Sequence, residues 1–127
     1  HRIARRQRQM CIRDSCCPAS KETLNLINKE TLEFLPKGAV VTNVARGDIV
    51  DDEALIDALN RRKVYAVGLD VYKGEPNLNP GYLKHKSAFI LPHLGSATKE
   101  TRTAMANLAI DNIEEYFKTG NCKNKVN

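Results

Sequence analysis

Three short apolar runs, AVVTN (Ala39 to Asn43), AVGLDV (Ala66 to Val71) and FIL (Phe89 to Leu91), are separated by helix-patterned or turn-rich stretches. Such alternation is the mark of βαβ construction, in which parallel strands are joined by crossovers. From Pro18 onward the chain therefore reads as α/β with a parallel sheet. The AVVTN run is brief and rich in β-branched residues, as expected of a strand covered on both faces.

The intervening stretches carry helix signals. Asn28 can cap a short helix to about Leu35, with Leu32 and Leu35 on one face, before Pro36-Lys37-Gly38 breaks the pattern. Asp51 suits the N-cap of a helix over Asp52 to Arg62, where Ala54, Leu55, Ala58 and Leu59 form an apolar stripe. Asp52 and Glu53 match the positive end of its dipole, and Arg61, Arg62 and Lys63 the negative end. A polar loop follows from Lys73 to Ser87. A long helix is predicted from about Thr98 to Thr119, with Met105, Leu108, Ala109, Ile113 and Phe117 at near-helical spacing and Gly120 as its stop.

The formal charge of +5 raises the question of nucleic acid, and its distribution answers it. Five Arg (Arg2, Arg5, Arg6, Arg8, Arg13) against Asp14 give residues 1–14 a charge of +4. Fifteen basic against fourteen acidic side chains leave the other 113 residues at +1. The first fourteen residues use Arg and no Lys, whereas the remainder holds eleven Lys and four Arg. The run RRQRQMCIRDS (Arg5 to Ser15) resembles translated sequencing-adapter DNA, so residues 1–14 are set outside the fold as a foreign or disordered segment; the alternative is a basic arm for an anionic surface. No apolar run approaches the ~18–20 residues of a membrane span, and no secretory leader is visible, so a cytoplasmic location with neither membrane nor nucleic-acid partner is expected. Cys11, Cys16, Cys17 and Cys122 form no Cys-x-x-Cys pair; reduced thiols and no metal site are expected.

Three ionisable residues sit where strands end or loops begin: Arg46 in NVARGD, Glu75 in DVYKGEP and His93 in LPHLGSAT. Loops after strands carry the sites of α/β enzymes. The guanidinium of Arg46 can grip a carboxylate through two parallel hydrogen bonds, and Gly47 lets backbone approach a ligand closely. His93 can deliver a proton to a carbonyl, and Glu75 can fix its tautomer and favour its charged form. Each also has an ordinary reading: a solvated arginine, a histidine satisfying its loop, an exposed loop carboxylate. Asp70, near the end of its apolar run, is either a ligand-facing acid or a buried support for its loop.

In order, NVARGDIVDDEAL, AVGLDVYKGEP and ILPHLGSAT resemble the D-2-hydroxyacid dehydrogenases from about Cys17 to the C-terminus, and NPGYLKHKSAFILPHLGSAT is most similar to their glyoxylate/hydroxypyruvate reductase branch. The resemblance implies a Rossmann-like, doubly wound parallel sheet, of which residues 15–97 would be the C-terminal half. Residues 98–127 would form a helix and tail returning to a substrate domain absent from this chain. It further implies a two-domain homodimer that transfers hydride from NADH or NADPH to a small 2-oxo acid. Arg46 would hold the substrate, His93 would supply the proton, and Glu75 would orient and charge His93. Pro18, Thr23, Val44, Ala45, Arg46, Asp70, His93 and Gly95 would meet the cofactor. A cofactor-sensing regulatory protein on the same fold is the alternative.

The chain departs from that pattern before Pro18, where the Arg-rich segment replaces the family's motifs and the acidic or basic residue that would choose NAD over NADP is missing. It contains no G-x-G-x-x-G, the turn that would cradle the cofactor pyrophosphate at a helix N-terminus. A truncated reading of a longer gene is therefore expected, with catalytic side chains present but neither tight dinucleotide binding nor turnover by these 127 residues alone.

Overall fold

The computed structural model describes residues 12–126; Arg2, Arg5, Arg6, Arg8 and Cys11 lie outside the described residues. Four parallel strands form one sheet in sequence order: β1 (Ile12–Ser15), β2 (Ala39–Asn43), β3 (Val64–Leu69) and β4 (Ala88–Ile90). Helices α1 (Lys29–Glu33) and α2 (Asp52–Asn60) occupy the first two crossovers, and α3 (Lys99–Thr119) follows the sheet. This is the α/β, Rossmann-like arrangement. Its strand order shows no reversal among the described residues. The chain divides into two compact units between His93 and Leu94, four residues before the boundary drawn from sequence.

β1 corrects the N-terminal boundary. Ile12 to Asp14, set outside the fold on composition, pair with Val40 to Thr42 of β2, and Ser15 with Asn43. A backbone ladder needs only N–H and C=O groups, so a run with poor strand composition can still close a sheet edge.

Capping sets the helices. The Asn28 side chain accepts from the amides of Glu30 and Thr31, both at 3.0 Å, and the Thr31 hydroxyl accepts from the Asn28 amide at 2.8 Å. That reciprocal pair starts α1. Asp51 accepts from Ala54 N–H at 3.2 Å to start α2. Arg61 joins the helices, donating to Glu33 and Asp57 at 2.8 Å each. Both bridges are exposed and contribute little to stability.

The core lies on one face of the sheet. Leu32 of α1 and Leu55, Ile56, Ala58 and Leu59 of α2 pack with Val41, Val67 and Leu69. On the opposite face Val40, Thr42, Ala66 and Gly68 are half-buried and Phe89 is 66% exposed. β2 therefore alternates between buried and half-buried positions rather than being buried on both faces, because α1 and α2 both pack on the side of Val41. β3 begins at Val64, two residues before the predicted Ala66, which leaves Asp70 and Val71 beyond its end. Early pairing of Ala39 with Val64, through an irregularity between Ala39 and Val40, draws the strand forward.

The loop after β3 is less polar in structure than in sequence. Tyr82 in the 3-10 turn Tyr82–Lys84 is completely buried, and its hydroxyl donates to Asp52 at the start of α2 at 2.8 Å. Asn79 donates to Glu53 at 2.9 Å. Burial raises both members of the Tyr82–Asp52 pair: the phenol lies well above its usual value, pushed further by the Asp52 charge, and the carboxyl is raised despite that bond and nearby Lys73.

The second unit contains α3. The Thr98 hydroxyl caps it by accepting from Thr101 N–H at 3.1 Å, and Gly120, at φ 71, ends it in the left-handed region. Its apolar positions, Met105, Leu108, Ile113 and Phe117 among them, are exposed. Among the described residues no helix is long and apolar enough to cross a membrane, and no group of three or more His, Cys, Asp or Glu could hold a metal ion.

Tyr82→Phe keeps the buried ring and deletes its hydroxyl. The expected cost is about 1–2 kcal/mol of unfolding free energy in urea titration at neutral pH. An unchanged midpoint would show that the bond to Asp52 contributes nothing.

Candidate active site at the strand ends

Parallel strands release their following loops at one edge, so the loops after β2, β3 and β4 leave the same side of the sheet. The β2 loop is shaped by Asn43, the fully buried last residue of the strand. Its Oδ1 accepts from Ala45 N–H at 3.1 Å, and its Nδ2 donates to the carbonyl of Arg46 at 2.9 Å. Its own carbonyl accepts from the amide of Asp70 at 3.0 Å, linking this loop to the next. Arg46 is exposed and its backbone extended, with Nη1 donating to the Ala45 carbonyl at 2.6 Å.

Gly47 has a different purpose from the one expected. A Cβ there would overlap the Tyr72 carbonyl and lie 2.6 Å from the Lys73 nitrogen. The missing side chain makes room for the Tyr72–Lys73 backbone, so the Arg46 loop lies directly against the loop that carries Glu75.

In that loop one Glu75 oxygen accepts from Tyr72 N–H at 3.0 Å, and the other lies 2.9 Å from His93 Nδ1. Burial pushes the Glu75 carboxyl upward, but the His93 bond, the Tyr72 amide and the charge on His93 together outweigh it and hold the carboxyl below its usual value. His93, early in the loop after β4, adopts φ 57, a left-handed conformation uncommon outside glycine. Its side chain is 49% exposed against 32% for Glu75, so the imidazole remains open to a ligand while its Nδ1 is held.

The structure thus joins Glu75 and His93 directly and brings the Arg46 loop against the Glu75 loop. The guanidinium is bonded to its own loop. Asp70 is buried just past β3.

An open cavity of about 590 Å³ lies between the loops after β1 and β2, lined by Cys16, Cys17, Pro18 and Ala19 on one side and Val44, Ala45 and Arg46 on the other. This position, outside the carboxyl ends of parallel strands, is where α/β proteins hold nucleotides and small ligands. Thr23 is not in the lining. Its hydroxyl donates to the Pro18 carbonyl at 2.8 Å, tying it to that wall. Gly95 belongs to the second unit. Cys16 and Cys17, read from sequence only as reduced thiols, and Ala19 join the lining, and Asn43, just before Val44, was not assigned to the site from sequence. The signal available for Asn43 was a polar residue closing an otherwise apolar strand immediately before Val-Ala-Arg-Gly.

Residues 12–95 match the family model described as the D-isomer specific 2-hydroxyacid dehydrogenase, NAD binding domain. The chain is 45% identical over 93 residues to 2-ketogluconate reductase of Gluconobacter oxydans, covering 73% of this chain and 30% of that protein. It is 44% identical over 100 residues to glycerate dehydrogenase of Hyphomicrobium methylovorum, covering 79% and 31%. Its fold matches the crystal structure of an NADPH-dependent glyoxylate/hydroxypyruvate reductase from Sinorhizobium meliloti in complex with NADP and malonate, with a TM-score of 0.84 and 34% identity over 91% of this chain and 38% of that one. The chain therefore spans about a third of the length of these relatives.

The loop geometry sets two expected outcomes. Gly47→Ala is expected to cost about 1–3 kcal/mol in urea denaturation, since the methyl group meets backbone that cannot rotate away; a neutral substitution would contradict the contact with Tyr72. Glu75, with its folded value below 4.5, stabilises the fold above that pH, and this contribution is lost as pH falls through the depressed value. Stability measured against pH in the acid range should therefore fall more steeply for the wild type than for Glu75→Gln, and parallel curves would exclude the Glu75–His93 pair as the cause.

Proposed function

Because the chain belongs to the D-isomer specific 2-hydroxyacid dehydrogenase family through its NAD binding domain, we propose that it is the C-terminal part of an enzyme that reduces a small 2-oxo acid to the D-2-hydroxy acid with NADH or NADPH. The observation that carries this reading is the 2.9 Å bond between His93 Nδ1 and Glu75. A carboxylate on one ring nitrogen leaves the other available to a reacting oxygen and stabilises the imidazolium that a proton donor needs.

The cavity beside Val44, Ala45 and Arg46 has the place and size for part of a dinucleotide. Pro18, Val44, Ala45 and Arg46 are the proposed wall residues, with Thr23 bracing Pro18. Asp70, His93 and Gly95 are proposed to complete the contacts in the longer protein. When bound, the reduced nicotinamide supplies the hydride. Arg46 holds the substrate carboxylate and polarises the adjacent carbonyl through its planar fork. His93 donates a proton to the carbonyl oxygen as it becomes a hydroxyl and removes it in the reverse direction. Glu75, bonded to His93 Nδ1, favours the imidazolium, whose Nε2–H is the proton given to the carbonyl oxygen.

The relatives' names divide among 2-ketogluconate, glycerate and glyoxylate/hydroxypyruvate. All are small acids bearing oxygen next to a carboxylate. Glyoxylate or hydroxypyruvate is the proposed substrate, on the similarity of residues 79–98, and a homodimer the proposed assembly.

In the complete protein that carries this segment, oxidation of NADH or NADPH by glyoxylate or hydroxypyruvate is the direct assay. His93→Gln is expected to lower kcat about 10²–10⁴-fold, whereas Arg46→Lys should chiefly raise the KM for the acid, because an ammonium lacks the fork. Near-normal kinetics in both variants would refute the assignment, and cofactor binding without turnover in the wild type would favour a sensor.

A further inference from the structure

The peptide units around Arg46 are tied down in succession. Asn43 Oδ1 takes the N–H of the Val44–Ala45 unit at 3.1 Å, and Asn43 Nδ2 reaches the carbonyl of the Arg46–Gly47 unit at 2.9 Å. The unit between them, Ala45–Arg46, has its carbonyl held by the guanidinium of Arg46 at 2.6 Å. The Arg46 carbonyl also accepts from Ile49 N–H at 3.3 Å, where the Gly47–Ile49 turn begins. Asn43 is fully buried, so water does not compete for either side-chain bond. Its amide orientation is set by the partners, since exchanging Oδ1 and Nδ2 would set donor against donor and acceptor against acceptor.

We infer that Asn43 is a positioning residue: its buried carboxamide fixes the path of residues 44–46 and thereby aims the Arg46 guanidinium, while its backbone carbonyl, held by Asp70 N–H, locks that loop to the one following β3. Few side chains can take its place. Aspartate retains an acceptor for Ala45 but sets an oxygen against the Arg46 carbonyl; serine is too short to span both groups; leucine leaves both unpaired in a buried place. Asn43 is not among the residues that line the cavity, to which this loop contributes Val44, Ala45 and Arg46. It acts through the loop.

This inference rests on the proposed role of Arg46, and two measurements keep them distinguishable. The first is amide hydrogen exchange in the 127-residue chain, which needs no activity. Asn43→Ser should speed exchange at Ala45 at least tenfold while Val41 and Val67, in the sheet ladder, keep their protection. Unchanged exchange at Ala45 overturns the inference; general loss of protection marks a folding defect, and Asn43→Asp, which keeps the volume and the Ala45 acceptor, then takes its place with the same Val41 and Val67 control and the kinetic readout below.

The second is kinetic, in the complete protein, with Asn43→Asp, Arg46→Gln and the double variant. A misaimed guanidinium should raise the KM for the 2-oxo acid about tenfold with a smaller change in kcat, and little further in the Arg46→Gln background, because the two substitutions remove one function. A purely structural role would instead lower kcat with the folded fraction, leave KM unchanged and add independently to Arg46→Gln; that result overturns the inference and leaves the reductase reading standing. If Arg46→Gln alone leaves KM unaltered, the substrate-holding role of Arg46 has failed and the inference falls with it.

Discussion

The site depends on a contact between two backbones. Where the first turn after β2 passes the loop after β3, Gly47 leaves no side chain, and the Tyr72 carbonyl and Lys73 amide occupy the space that one would fill. Main chain against main chain is the closest approach a protein allows. It brings the loop that carries Arg46 alongside the loop that carries Glu75, and Glu75 in turn holds His93. Three residues drawn from well-separated parts of the chain are thereby related through one absent methyl group and one hydrogen bond.

The same edge concentrates the buried polar groups. Besides the Tyr82 phenol, Asn43 and Asp70 are buried polar side chains among the described residues, each at or just past the carboxyl end of a strand. A buried polar group is costly unless bonded, and Asn43 meets that demand by bonding the backbone of its own loop. Apolar residues along β2 and β3 hold the sheet to α1 and α2, while Asn43 at the end of β2 shapes the loop that leaves it. Stability and geometry are thus assigned to different parts of the same strand.

Much of this was legible because it obeys local rules. The caps at Asn28 and Asp51, the start of the last helix near Thr98, the stop at Gly120 and the limits of β2 are dictated by side-chain chemistry and short-range pattern. Arg46, Glu75 and His93 stood out as charges beside strand ends, and the structure joins the latter two. The features that escaped depend on distant partners. Tyr82 looks like a loop residue until Asp52, thirty positions away, receives its hydroxyl. β1 has an unpromising composition, and only the facing backbone of β2 makes it a strand. Gly47 announces close approach by something, yet nothing local says whether ligand or polypeptide will occupy the space. Asn43 shows the converse: its bonds reach only two and three residues onward, but their importance depends on burial, which the sequence does not display.

The elements of the proposed chemistry differ in how much of the protein they need. The Glu75–His93 pair and the Asn43–Arg46 loop are closed by interactions within the unit that ends at His93. Holding a pyrophosphate, by contrast, needs a glycine turn at a helix N-terminus, and no such motif occurs in these 127 residues. The groups proposed for proton delivery and substrate capture can therefore keep their geometry in a chain a third the length of its relatives. Pyrophosphate binding draws on a glycine turn and proton delivery on the Glu75–His93 pair, so the two proposed properties are separable by experiment because different parts of a polypeptide supply them.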